Sequence, residues 1–124
     1  MNLMKWLSVG TYLAVIHTQS AWAGDAAVGA KVFNACKACH EIATPRNRLG
    51  PSLQGVIGRK AGTLEGFKFS EAMNASGLTR DAATLATYLA NPNTFMPDNK
   101  MAFAGVRKRA DLENLLAYLE EAAK

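Results

Sequence analysis

Cys36-Lys37-Ala38-Cys39-His40 is the stretch that decides how the rest of this chain is read. Two thiols flanking two residues, with histidine directly after the second, form the attachment pattern for c-type haem. The spacing follows from the chemistry. Each thiol adds to one of the two vinyl groups of the ring, and the next residue places an imidazole under the iron. Cys36 and Cys39 are the only cysteines among 124 residues. Other uses of the motif fit less well. A thioredoxin-like redox pair expects a βαβ pattern around it, which the sequence does not offer, and it leaves the histidine unexplained. A structural zinc site needs two further ligands, and the second histidine, His17, lies in a segment expected to be removed. A disulfide across two residues would be strained.

That segment is the N-terminus. Lys5 supplies a positive start, Leu7 to Ile16 is a short apolar run, and Ala21-Trp22-Ala23 is a small-x-small cleavage site. The order is that of a secretory signal peptide cut after Ala23. A membrane anchor needs about 20 apolar residues; this run is about half that and is followed by His17, Thr18, Gln19 and Ser20. Export suits the motif, because haem is attached covalently outside the cytoplasm in bacteria. The expected organisation is a leader over 1–23 and one domain over 24–124. The chain is periplasmic on this reading and not an integral membrane protein.

The whole chain carries a net charge of +4, and loss of Lys5 leaves +3. So mild an excess, with no basic helix interleaved with aromatics, does not point to nucleic acid. It is compatible with docking to acidic protein surfaces. The pattern reads as helices joined by loops, with no strand signal. Asp25 caps a first helix reaching about Cys36, with Val28, Val32 and Phe33 at helical spacing and Gly29 placed for close approach of another helix. Residues 44–66, punctuated by Pro and Gly, form a loop. A short helix spans Ser70 to Ala75. Another opens at Thr79 or Arg80 and ends before Pro92, with Leu85, Tyr88 and Leu89 buried. Asn91 to Met101 is a second loop. A last helix runs from about Ala110 to Ala122 on a stripe of Leu112, Leu115, Leu116 and Leu119.

With His40 on one face, iron can take a soft thioether on the other. Met73, Met96 and Met101 are the candidates. Methionine is usually core filler, and Met73 and Met96 read that way. Met101 ends the loop Pro97-Asp98-Asn99-Lys100, which can wrap the face opposite the motif.

These residues together resemble class I cytochrome c, the mitochondrial and small bacterial type, over essentially the whole of 24–124. The resemblance is carried by Cys36-x-x-Cys39-His40, Gly50-Pro51-Ser52-Leu53, Gly58-Arg59-Lys60, Tyr88-Leu89-x-Asn91-Pro92, Pro97-x-x-Lys100-Met101-x-Phe103 and Leu115-x-x-Tyr118-Leu119. The Phe33-Asn34-x-Cys36 run is more like small bacterial members. What it implies is an all-α cytochrome c fold wrapped around one covalently bound haem c. His40 and Met101 resemble the axial iron ligands. Pro51 resembles the residue whose carbonyl accepts from the His40 ring, Tyr88 the phenol near the methionine sulfur, and Arg59 the arginine near a haem propionate. Gly29 resembles the glycine at the crossing of the first and last helices, met by Leu115 and Tyr118.

Three positions depart from the family. Arg80 stands where it usually has a tryptophan on a propionate, Phe69 where it often has tyrosine, and Met73 where it often has asparagine. Arg80 either replaces the lost donor with a charged one or points to solvent. Different wiring on the propionate side would shift the potential or loosen the Met101 loop.

Two strong axial ligands leave no open site on iron, so the resemblance implies a monomeric electron carrier rather than an enzyme. Its partners would be redox proteins with acidic docking surfaces: membrane cytochrome complexes, oxidases or reaction centres, and periplasmic dehydrogenases. Lys37, Lys60, Lys68, Lys100 and Arg107-Lys108-Arg109 are candidates for a basic rim. The rival readings are a haem enzyme or sensor, in which Met101 dissociates, and a dedicated subunit of one dehydrogenase.

Overall fold

The computed structural model describes residues 22–124. The leader expected over 1–23 therefore lies outside the described residues except for its last two positions. Five helices follow in chain order: α1 Ala26–Val32, α2 Glu71–Ala75, α3 Ala82–Ala90, α4 Pro92–Phe95 and α5 Arg109–Ala122. A 3₁₀ turn, Phe33–Ala35, extends α1 toward the cysteines. Among the described residues no helix is long and apolar enough to cross a membrane.

The frame is the crossing of α1 and α5. Asp25 caps α1, its carboxylate accepting from the amides of Ala27 at 2.8 Å and Val28 at 3.1 Å, which satisfies donors that the first turn leaves free. Its own amide donates to Asn114 Oδ1 at 2.7 Å and so ties the cap to α5. Gly29 is buried at the crossing, where a Cβ would run into the Asn114 carbonyl and come within 2.8 Å of Tyr118 Cβ. The expected role of Gly29 holds, with Asn114 rather than Leu115 at the contact. Leu115 instead packs with Leu119 under Phe33, which is 1 % exposed, and the Phe33 and Tyr118 rings meet at 5.2 Å. The buried stripe of α1 is thus Gly29–Phe33; Val28 is exposed.

Two local expectations are corrected. The helix expected to open at Thr79 or Arg80 begins at Ala82, with Asp81 as its cap accepting from the Thr84 amide at 2.8 Å. Thr79 and Arg80 are extended instead, because they pair with Lys60 and Arg59 across an antiparallel bridge. The second loop, expected to run from Asn91 to Met101 without helix, holds α4. Asn91 caps it and Pro92 occupies its first turn, where proline's missing N–H and fixed φ cost nothing.

Between the two loops lies a second buried cluster of Ala61, Met73, Tyr88 and Met96, with Phe69 and Met101 packed against it. Met73 and Met96 are buried as expected.

Candidate functional site

A cavity of about 420 Å³ lies between these two clusters, within the roughly 300–1,000 Å³ of small-molecule and cofactor sites. Cys36, Cys39, His40, Pro51, Arg59, Tyr88 and Met101 all line it. All seven residues singled out from the sequence therefore share one wall-to-wall site. Phe33, Leu53, Val56, Phe67, Phe69, Leu85, Leu115 and Leu119 make the remainder mostly apolar.

The motif is folded as a tight turn. Cys36 N–H donates to Phe33 O at 2.8 Å, and the amides of Cys39 and His40 both donate to Cys36 O, at 3.1 and 3.0 Å. Gly50 N–H donates to Cys39 O at 2.8 Å, and Arg48 Nη1 donates to Lys37 O at 2.9 Å, so the following loop is strapped to the turn. Burial, with Cys39 nearby, raises the Cys36 thiol above its usual range.

His40 is oriented from two sides. Its Nδ1 lies 2.7 Å from the Pro51 carbonyl. A carbonyl only accepts, so Nδ1 carries the proton and Nε2 keeps the free lone pair. Gly50 backs the ring: a Cβ there would sit 2.7 Å from Nδ1 and 2.8 Å from Nε2. Burial lowers the imidazole pKa, and the Arg80 charge acts in the same direction against the opposing effect of the Pro51 bond. The result is a neutral ring with one nitrogen available, which is the form that binds metal.

Arg59 is not a solvated loop charge. Its Nη1 and Nη2 donate to the carbonyls of Gln54 at 3.1 Å and Ser52 at 3.0 Å, holding the segment just after Pro51. On the far side Tyr88 is buried, with its hydroxyl 3.9 Å from Met101 Sδ. Met73 also lines the cavity, but its sulfur accepts from Arg80 Nη2 at 2.8 Å. Met101 is thus the cavity methionine whose sulfur is not engaged by a cation. Asn99, which sequence reasoning passed over, fixes its approach. Its Nδ2 reaches the carbonyls of Met96 at 2.8 Å and Pro92 at 3.2 Å, and its Oδ1 accepts from Met101 N–H at 2.9 Å. Asp98 just before it takes φ +64°, which short polar residues tolerate better than branched ones.

Of the alternatives for Arg80, the structure selects the inward one. The guanidinium lines the cavity, packs 5.2 Å over the Tyr88 ring and touches Met73. In the candidate rim, Lys37, Lys60, Lys68, Lys100, Arg107 and Lys108 are exposed. Arg109 is paired with Glu113 at 2.8 Å.

The site fits a haem on its own terms. It presents two thiols, one neutral imidazole nitrogen held by a carbonyl, one thioether, two guanidinium groups and an apolar lining around a macrocycle-sized space. Comparisons with known proteins agree. A family model described as Cytochrome c matches residues 26–123. Cytochrome c2 iso-2 of Magnetospirillum fulvum is 54 % identical over 88 residues, covering 71 % of this chain and 92 % of the relative. Cytochrome c2 of Rhodoblastus acidophilus is 48 % identical over 100 residues, covering 80 % and 94 %. The solved structure of cytochrome cH from Methylobacterium extorquens superposes with a TM-score of 0.75 at 44 % identity, covering 79 % of this chain and 99 % of that one.

Proposed function

The chain belongs to the cytochrome c family, and from that premise we propose how its residues hold and use the cofactor. The fold is the all-α cytochrome c fold, and the protein is a monohaem electron carrier rather than an enzyme. Haem c supplies a one-electron Fe(II)/Fe(III) couple when bound.

In our reading Cys36 and Cys39 form the two thioether links. His40 through Nε2 and Met101 through Sδ would be the groups that hold the iron. Pro51 holds the imidazole in the right tautomer, a supporting contact that fixes ligand orientation. Tyr88 steadies the Met101 sulfur from behind, and Arg59 keeps the Pro51 segment in place. The apolar lining excludes water. The observation that carries this reading is the convergence on one cavity of both thiols, the carbonyl-bound His40 ring and the Met101 sulfur, which meets the Tyr88 hydroxyl rather than a cation.

The protein moves electrons between redox partners. We further infer that these partners present acidic surfaces to the exposed lysines around the cavity mouth, Lys100 among them. Membrane cytochrome complexes, oxidases or reaction centres and periplasmic dehydrogenases are the classes that fit. The monomer, the leader over 1–23 cut after Ala23 and the periplasmic location rest on the sequence reading.

A spectrally monitored redox titration of the exported protein tests the ligand assignment. Low-spin haem in both oxidation states with a clearly positive potential is expected. A high-spin ferric form that readily binds added ligand would remove Met101 from the iron and sink the assignment.

A further inference from the structure

Among the described residues two methionines line the main cavity, Met73 and Met101, while Met96 is buried outside it. Both reach it from the same side. Met73 and Tyr88 belong to one buried cluster, and Met101 packs against it. Cys36 and Leu53, on the side of the motif and the Pro51 segment, pack in the other cluster. A second soft thioether therefore shares the cavity wall with the one assigned to the iron.

Met73 is fixed in its backbone and loose in its side chain. Its amide donates to Ser70 Oγ at 3.1 Å, and its carbonyl accepts from Ser76 Oγ at 2.8 Å, so α2 sets where the side chain starts. The side chain itself is unbranched, with three rotatable bonds and a polarisable sulfur. A void of about 10 Å³ borders Met73, Arg80, Tyr88 and Met96. It is about the room of one water, and it gives Met73 slack that a close-packed side chain lacks. The tether on the sulfur is one contact, from Arg80 Nη2 at 2.8 Å, and a thioether is a weak acceptor. Arg80 loses little when that sulfur moves, because it keeps the face of the Tyr88 ring.

We infer that Met73 is a reserve thioether ligand, whose Sδ takes the iron when Met101 leaves it. The inference rests on the haem reading and adds to it a second occupant for the Met101 position. The exchange moves no proton and changes no oxidation state: the bond to Met101 Sδ breaks, and Met73 Sδ gives one lone pair to the bond that replaces it. While Met101 is in place, the Arg80 tether keeps Met73 out of competition. Met101 is half-buried at the end of a loop, whereas Met73 is 6 % exposed, so the sheltered sulfur backs up the accessible one. An added ligand then has a sulfur to displace in either arrangement, which favours a carrier over an open-site enzyme.

The test is proton NMR of the ferrous haem protein, with cyanide titration of the ferric form, on wild type, Met101→Ala, Met73→Leu and the double variant. A methionine methyl held over the haem is shifted strongly upfield by the ring current, so the signal reports a bound thioether directly. Wild type and Met73→Leu should share one such signal. Met101→Ala should stay low-spin and show a signal at a new position, and the double variant should show none. If Met73 holds the iron about nine-tenths of the time in Met101→Ala, its removal in the double variant raises cyanide affinity about tenfold. Met101→Ser takes the place of Met101→Ala if that variant does not assemble. Absence of the upfield methyl from Met101→Ala overturns the inference, whether its haem is high-spin or held low-spin by another group, and so does a cyanide affinity equal to that of the double variant. A wild-type signal that survives in Met101→Ala and vanishes in Met73→Leu overturns the Met101 assignment and this inference together. Absence of covalent low-spin haem from the wild type would overturn the proposed function itself.

Discussion

Asn99→Ala should loosen the Met101 side of the haem site without unfolding the rest. The two N–H groups of the side chain are shared among three acceptors, Pro92 O, Asn93 Oδ1 and Met96 O, and its Oδ1 accepts from the Met101 amide, so at most three full bonds are made at once. A neutral hydrogen bond contributes about 1 kcal/mol net, so three bonds set an upper figure of about 3 kcal/mol. The site is only half-buried, and water can reach part of the freed carbonyls, so about 2 kcal/mol is expected. These bonds tie Asn99 to α4, to its C-cap Met96 and to the Met101 amide, and none reaches α1 or α5. The loss should therefore appear as a local opening of the thioether from iron. At 1.4 kcal/mol per tenfold change, apparent affinity of the ferric protein for added imidazole or cyanide should rise about 30-fold. Titration of the ferric spectrum with either ligand measures this, and urea unfolding of the same sample gives the global stability. Unchanged ligand affinity, with the whole loss appearing in global unfolding, would refute the reasoning.

Gly29→Val should cost more than the usual 1–3 kcal/mol of overpacking, because the new side chain meets α5 backbone at Asn114 and not a movable side chain; thermal unfolding measures it. The hydrogen bond from the Thr84 amide holds the Asp81 carboxyl below the usual aspartate range, so its cap is at full strength above that range and is lost as pH falls through the lower folded value. The destabilisation of Asp81→Ala should thus be largest at neutral pH and shrink in acid, as read from urea midpoints at both. Lys100→Glu should slow electron transfer to an acidic partner at low salt and converge with wild type as screening sets in; parallel salt slopes would count against the rim. Met73 and Arg80 are in contact, so Met73→Asn and Arg80→Trp should be non-additive in stability by about 0.5–3 kcal/mol, which a double-mutant cycle measures.

What was legible in the sequence was what depends on local spacing. The two thiols and His40 had to lie on one turn, and the cap at Asp25 and the leucine stripe of α5 follow from helical period. Gly29 could be placed because a glycine inside a helix, at about 1 kcal/mol against alanine, asks for a close neighbour. The loops were harder. The bridge between Lys60 and Thr79 joins segments 19 positions apart with no alternation of apolar residues, so nothing local announced it, and the start of α3 was placed too early as a result. The helix α4 is four residues long, too short for period, though Asn91-Pro92 is a cap followed by proline at the first turn and could have been read. Asn99 carries no signal of its own within its loop; its reach to Pro92, Met96 and Met101 is tertiary. Gly50 opens the run Gly50-Pro51-Ser52-Leu53, but its use as a bare backing for the His40 ring depends on how that loop folds over the motif.

The division of labour between helices and loops explains why the departures at Phe69, Met73 and Arg80 are tolerated. The α1–α5 crossing is closed by Gly29, Phe33, Leu115 and Tyr118, none of which belongs to that trio. Change in the loop half is therefore felt by the cofactor pocket before it is felt by the frame. Within the loop half the three positions are not independent. An arginine placed inward at position 80 needs acceptor or anionic neighbours, and Met73 supplies a thioether sulfur at 2.8 Å. The aromatic face of Tyr88, 5.2 Å from the guanidinium carbon, adds a favourable cation–π contact. The same Tyr88 then faces Met101. A charge introduced at position 80 thus acts through one buried side chain, Tyr88, on the Met101 sulfur, which couples the Arg80 side of the cavity to the Met101 side.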